Sequence, residues 1–190
     1  DIREISEIIH SVDGLVYMDG ANLNALLGIA KPALTGVDMT HINLHKTFST
    51  PHGGGGPGGG CLAVHEKLVD YLPVPRVAKN DDGTYRWNWD KPDTIGRVHS
   101  FWGNVGMMVR AYMYIRMLGA DGLKRVSDTA IVNANYLFAK IADMFETPYA
   151  APYMHEFVVS GNRQKKQGVK TLDIAKRLLD FGVYAPTVYF

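Results

Sequence analysis

Lys46 follows His45 at the end of a short apolar run, His41-Ile42-Asn43-Leu44, and a lysine amine so placed can condense with an aldehyde to form a Schiff base. That reaction needs the neutral amine, which burial or a cationic neighbour favours. A second apolar run, Leu15-Val16-Tyr17-Met18, leads into Asp19-Gly20-Ala21-Asn22, so a carboxylate stands at a comparable strand end. In an α/β protein with a parallel sheet, ligands gather beyond the carboxyl ends of the strands. Asp19 and Lys46 are then the two groups placed for a site. Taken alone, an aspartate before glycine equally begins an exposed turn.

Close by runs His52-Gly53-Gly54-Gly55-Gly56-Pro57-Gly58-Gly59-Gly60, in which seven glycines strip the backbone of side chains. Such a loop is either mobile or closely approached by something. No Gly-Lys-Ser/Thr closes it, which argues against a nucleotide-phosphate loop. His41 and His45 have the four-residue spacing of a helical zinc pair, but the expected glutamate is missing and the stretch reads as strand, so no metal is expected. Arg97, His99, His155 and Arg163 could bind a carboxylate or a partner, with surface or core roles as the alternative, and they stay outside the catalytic set. Trp87 and Trp89 read as packing residues because no basic stripe accompanies them. Met107, Met108, Met113 and Met117 lie at helical spacing and read as core.

These groups need elements to hold them. At 190 residues with 46% hydrophobic and 21% charged side chains, the chain has the composition of a soluble globular protein able to bury a core. A net charge of +1 gives no basic field for nucleic acid or an anionic membrane. The lone Cys61 forms no internal disulfide, which fits a reducing compartment, the cytosol or an organelle matrix, and a cytoplasmic location is expected. No apolar run reaches the roughly 20 residues of a membrane span. The run from Val183 to Phe190 is apolar and strand-like up to the last residue, so the chain is expected to be a fragment.

The spacing of Ile2, Ile5, Ile8 and Ile9 predicts a helix over Ile2 to His10, followed by buried strands at Leu15–Met18 and His41–Leu44. A strand at Cys61–Val64, a short helix from Glu66 to Leu72 stopped by Pro73 and Pro75, and a hairpin turning at Asp82-Gly83 come next. Helical periodicity fills Val105 to Leu118 and Leu123 to Phe145, broken near Gly119 and Gly122. Glu156 to Ser160 reads as strand. Thr171 to Leu179 reads as a helix capped by Thr171 and stopped at Gly182.

The segments Asp19-Gly20-Ala21-Asn22 and His41-Ile42-Asn43-Leu44-His45-Lys46-Thr47-Phe48-Ser49-Thr50-Pro51-His52-Gly53-Gly54-Gly55-Gly56-Pro57-Gly58 together resemble the signature of the glycine decarboxylase P-proteins, the glycine dehydrogenase (decarboxylating) family. The likeness extends through Leu72-Pro73-Val74-Pro75-Arg76, Asn133-Ala134-Asn135-Tyr136-Leu137, His155-Glu156-Phe157 and Thr171 to Asp180, and looks closest to subunit 2 of the two-subunit bacterial and archaeal form. It implies pyridoxal 5'-phosphate as cofactor, held by Lys46, with Asp19 facing the pyridine nitrogen. By analogy with related pyridoxal enzymes that carry Asp-x-Ala-His/Gln, Ala21 would lie against the ring and Asn22 would reach its phenolic oxygen, while the phosphate needs donors that His45, Asn43 and the adjoining glycine loop could provide. The implied fold is the α/β pyridoxal-phosphate fold type I, like aspartate aminotransferase. Residues 1–102 would close its large, mainly parallel sheet domain, and residues 103–190 would hold linking helices and the start of the small carboxyl-terminal domain. The implied activity is decarboxylation of glycine with transfer of the aminomethyl group to the lipoyl arm of H-protein, alongside a companion subunit 1 in a heterotetramer. Two other readings stay open: another enzyme of the same fold, such as an aminotransferase or cysteine desulfurase, and a catalytically silent assembly subunit.

Overall fold

The computed structural model describes residues 1–185 apart from Phe101, in two compact units, Asp1–Lys124 and a second from Arg125 onward. Helix α1 (Ile2–His10) starts where the Asp1 carboxylate accepts a hydrogen bond from the Arg3 amide at 3.0 Å, satisfying one of the donors a helix start leaves unpaired. Strand β1 (Tyr17–Asp19) pairs in parallel with β2 (Met39–Asn43), which pairs antiparallel with β3 (Gly60–Val64). β2 is thus the central strand. Both parallel strands point their carboxyl ends the same way, which is the arrangement a ligand site in an α/β sheet uses.

Asp38, 3% exposed, fastens these elements together. Its carboxylate accepts from the Val16 amide at 2.7 Å and lies 2.8 Å from His10 Nε2 and 2.5 Å from Lys67 Nζ. Burial pushes its pKa up, but the Lys67 ammonium, the Val16 amide and His10 together hold it well below the usual carboxylate range. A carboxyl depressed in the folded state contributes stability that is complete above the unfolded value of about 3.9 and lost as pH falls below it. Asp38→Asn is therefore expected to cost about 2–3 kcal/mol at pH 7, in line with hydrogen bonds to charged groups. The gap from wild type should narrow by pH 3. Urea unfolding at both pH values checks this, and an equal gap at each would remove the charge from the explanation.

The sheet leads into a one-turn helix, α2 (Leu44–Thr47), and then the glycine loop. Beyond β3, a 3-10 turn at Glu66–Tyr71 precedes the hairpin of β4 (Arg76–Lys79) and β5 (Tyr85–Asn88). Its turn is held by Asp82, whose side chain accepts from the Thr84 amide at 2.9 Å, as the Asp-Gly pair predicts. Trp87 stacks on Trp102 at 4.4 Å between ring centres, a packing role. The core of this unit gathers Leu44, Phe48 and Ala111, with Leu27, Ile42, Met108 and Tyr114 packed against it.

Helix α3 (Val105–Ile141) is interrupted at Gly119, whose φ of 62° and ψ of −175° lie outside the helical region. An L side chain avoids that conformation, and glycine adopts it without steric cost. In the second unit, Asn135 brackets the Tyr153 backbone, donating to its carbonyl at 2.7 Å and accepting from its amide at 2.9 Å. Phe138 meets Tyr153 and Phe157 edge to face. Arg163 donates to the Asp143 carbonyl at 2.9 Å, which gives it a structural task, and it sits in the short helix α4 (Asn162–Lys165).

Helix α5 (Thr171–Asp180) ends as expected, with the Gly182 and Val183 amides bonded to Leu179 and Leu178. Its cap, however, is Lys170, whose amide donates to the Asp173 carboxylate at 2.8 Å, so Thr171 is the first helical residue. Glu156 to Ser160 is not a strand: only Ser160 forms a bridge, to Glu146. β1 starts two residues later than expected and is not buried, since Tyr17 is 53% exposed. Leu44 leaves the strand for α2. Of the expected carboxyl-terminal run, residues 183–185 take no regular form, and residues 186–190 lie outside the described residues. No helix among the described residues is long and apolar enough to cross a membrane.

Candidate active site

Lys46 is presented by the packing of its neighbours. In a single helical turn, residues three and four apart share a face. Leu44, Thr47 and Phe48 are buried, with Phe48 meeting Tyr114 edge to face at 6.4 Å. That leaves Lys46 on the exposed side, with no hydrogen bond or ion pair to its Nζ among the described residues. The turn is pinned at its start by the Leu44 amide donating to the Gly59 carbonyl at 3.0 Å. It is pinned beyond its end by Arg110, which donates to the Ser49 carbonyl at 2.8 Å. Ser49 holds a φ of 56°, unusual for a residue with a side chain, directly after the turn.

The segment after β1 is bonded to both flanks of that turn. The Asn43 amide donates to the Ala21 carbonyl at 3.4 Å, and the Leu23 amide donates to Thr47 Oγ1 at 2.9 Å. The structure thus draws together Asp19, Ala21, Asn22, Asn43, His45 and Lys46 at the carboxyl ends of two adjacent parallel strands. Asp19 pairs in register with His41. Its Oδ1 accepts from the Ala21 amide at 3.1 Å and lies 3.5 Å from His41 Nε2. On its far side the His41 ring meets the Tyr17 hydroxyl through Nδ1, the two rings lying edge to edge with planes 7° apart. Asn22 Oδ1 accepts from the Asn24 amide at 2.9 Å, which leaves its amide nitrogen to donate elsewhere.

His45 carries a buried Nδ1 with no hydrogen-bond partner, and its ring meets His52 edge-on at 4.7 Å. Burial, and then the His52 and Lys46 charges beside it, hold its pKa below the ordinary imidazole value, which favours the neutral ring. A buried nitrogen left unpaired costs free energy unless a further group reaches it. Sequence reasoning missed Tyr17 and Thr47 and considered His41 only as a metal ligand. Tyr17 and Asp19 are two apart, hence on one strand face, but only the β1–β2 register reveals that His41 joins them.

Residues 126–190 match the family described as glycine dehydrogenase, C-terminal domain. The whole chain is 59% identical over 194 residues to the probable glycine dehydrogenase (decarboxylating) subunit 2 of Prosthecochloris aestuarii. It is 60% identical over 193 residues to that of Chlorobaculum tepidum, and 56% over 190 residues to that of Shouchella clausii. The matches cover 100% of this chain but 40%, 40% and 38% of the relatives, so it spans about two fifths of their length. A crystal structure of glycine decarboxylase (P-protein) of the glycine cleavage system, in inhibitor-bound form, aligns with a TM-score of 0.74 at 19% identity, over 97% of this chain and 43% of that one. Lactobacillus brevis glutamate decarboxylase aligns with a TM-score of 0.57 at 15% identity, over 98% and 42%. At those identities the two structures speak to fold alone, and the fold is the expected one, part of the α/β fold type I. With more than half its residues identical to each of these subunits over its entire length, the chain is similar to a segment of the glycine dehydrogenase (decarboxylating) subunit 2 proteins, and its carboxyl-terminal third matches their family's C-terminal domain.

Proposed function

We propose that the protein containing this segment binds pyridoxal 5'-phosphate through Lys46 and decarboxylates glycine, passing the aminomethyl group to the lipoyl arm of H-protein. The observation that carries the proposal is the bonding of the segment after Asp19 to both flanks of the Lys46 turn, through the Ala21 carbonyl and the Leu23 amide, which holds the two chain segments together beyond two adjacent strand ends. The residues fit the cofactor: an amine with no partner, a carboxylate with one oxygen uncommitted, and an unsatisfied buried nitrogen on His45. When bound, the group supplies an aldehyde for amine capture and a ring that accepts electrons as carbon dioxide leaves.

Lys46 Nζ would hold the aldehyde carbon and carry a proton at that nitrogen when glycine takes its place. Asp19 Oδ2 would hold a proton at the pyridine nitrogen, keeping the ring positively charged. The Ala21 methyl is small enough for a ring to lie against it. Asn22 would donate to the phenolic oxygen from the amide nitrogen that the Asn24 contact leaves available. Asn43 and the neutral His45, with backbone amides of the glycine loop, would serve the phosphate. A companion subunit 1, assembling with this one as a heterotetramer, would complete the site.

A carrier protein with a long lipoyl arm needs open access, and the loop from Gly53 to Gly60 offers it. At Gly56 an added Cβ would meet only the Gly53 carbonyl, at 3.8 Å, so Gly56→Val is expected to leave folding intact. Turnover with lipoylated H-protein should nonetheless fall roughly tenfold, the scale of a misplaced substrate. Unchanged turnover would remove the loop from the arm's path.

The full-length protein, reconstituted with its companion subunit and pyridoxal phosphate, tests the activity. Exchange of labelled carbon dioxide into glycine, dependent on lipoylated H-protein, is expected. Amine transfer to keto acids, or sulfur release from cysteine, in place of that exchange would overturn the assignment.

A further inference from the structure

We propose that His41, itself oriented by Tyr17, is a positioning residue that fixes the Asp19 carboxylate so that Oδ2 is presented to the cofactor. The inference rests on the reading of Asp19 as the carboxylate facing the pyridine nitrogen. Asp19 is 75% exposed at a strand end, and a carboxylate in that position rotates freely unless something holds it. Two groups converge on the same oxygen: the Ala21 amide at 3.1 Å and His41 Nε2 at 3.5 Å, both on Oδ1. Oδ2 has no partner among the described residues. Holding one oxygen while leaving the other open sets the direction in which the carboxylate accepts.

The neutral ring of His41 can do this in one tautomer only. With Nε2 protonated the ring turns its N–H toward Asp19 Oδ1, 3.5 Å away, and Nδ1 then accepts from the Tyr17 hydroxyl. The Tyr17 and His41 rings lie edge to edge with their planes 7° apart, so the hydroxyl meets Nδ1 near the imidazole plane, where its lone pair points. The arrangement follows from strand geometry. Tyr17 and Asp19 share one face of β1 by the two-residue period, and the parallel register places His41 across from Asp19. The same logic operates where a second residue orients a ligating histidine: removing such an orienting partner weakens binding by roughly 10–100-fold.

The test is a double-mutant cycle on pyridoxal phosphate affinity in the full-length protein, read from the absorbance of the bound cofactor. His41→Leu is expected to weaken binding about tenfold in the wild-type background and not at all in the Asp19→Ala background, because coupled residues lose their contribution together. His41→Gln, whose amide nitrogen can stand in for Nε2, should recover most of the affinity, and Tyr17→Phe should give a smaller loss than His41→Leu. The unliganded protein gives a second readout: nitrogen-proton correlation spectra of the His41 ring should report the Nε2–H tautomer. A tenfold loss that persists in the Asp19→Ala background, or an Nδ1–H tautomer, overturns the inference while the reading of Asp19 stands. If Asp19→Ala alone leaves affinity unchanged, that reading fails and this one with it.

Discussion

Replacing Lys46 by alanine is expected to leave the fold unchanged and to abolish covalent retention of pyridoxal phosphate, with glycine turnover falling at least about a thousandfold, the upper part of the range for losing a side chain that bonds to or moves protons at the reacting centre. The two halves of that expectation have separate physical grounds. Lys46 is exposed and without hydrogen-bond or ion-pair partners among the described residues, and surface changes of that kind alter stability by no more than about 0.5 kcal/mol. The buried face of the turn, Leu44, Thr47 and Phe48, is untouched. Lys46→Arg sharpens the test by keeping the charge while removing a nucleophilic amine, and it should be as inactive as the alanine variant. Borohydride reduction followed by peptide mapping is the direct measurement. A pyridoxyl group on another lysine, or an alanine variant within tenfold of wild type, would sink the role assigned to Lys46 and move the silent-subunit reading to the front.

Gly20→Ala is expected to be the more damaging change for the protein as a whole. Gly20 is buried, and a Cβ built on it would lie 2.3 Å from Thr40 Oγ1 and 2.6 Å from the His41 carbonyl oxygen. The threonine side chain can rotate away. The carbonyl cannot, because it belongs to the central strand, which is paired on both sides. The chain after Asp19 must therefore move off β2, at a cost of about 2–3 kcal/mol, the usual scale of overpacking. For a protein of this size that corresponds to a fall of roughly 5–10 °C in melting temperature. The same movement pulls Ala21 from Asn43 and Leu23 from Thr47, so cofactor affinity should fall with stability. Thermal melting with and without pyridoxal phosphate measures both. A variant that melts like wild type would mean that this strand end is not packed as described.

How far the sequence led depends on whether the deciding force was local. The α1 bounds, the Asp82-Gly83 turn, the break at Gly119 and the stop at Gly182 were all legible because a cap, a turn residue or a backbone preference decides them within a few positions. Asp19 and Lys46 were legible as groups at strand ends. The helical turn at Leu44 was not, since its residues suit a strand equally well and the choice is made by burial of Leu44 and Phe48 against Met108 and Ala111, sixty or more residues away. Glu156 to Ser160 failed for the converse reason. Its apolar residues suit a strand, but only Ser160 finds a backbone partner, and Phe157 instead joins Phe138 and Tyr153. The dependence on Asp38 was hidden because a lone aspartate before a strand gives no sign that a histidine, a lysine and a distant amide will converge on it.

Strand β2 alternates its side chains, so Met39, His41 and Asn43 share one face while Thr40 and Ile42 share the other, and Ile42 packs against the core. Substitutions along it are therefore judged one residue at a time, but changes of length are not. Deleting a single residue between His41 and Leu44 would shift the alternation, sending an apolar side chain to the face that carries His41 and Asn43 and a polar one to the core. Deleting two would restore the alternation and still draw Lys46 back by roughly 6.6 Å along the strand, beyond the reach of the Thr47–Leu23 bond. Among descendants of this sequence, point changes can accumulate here, whereas the spacing from Asp38 to Lys46 behaves as a fixed ruler.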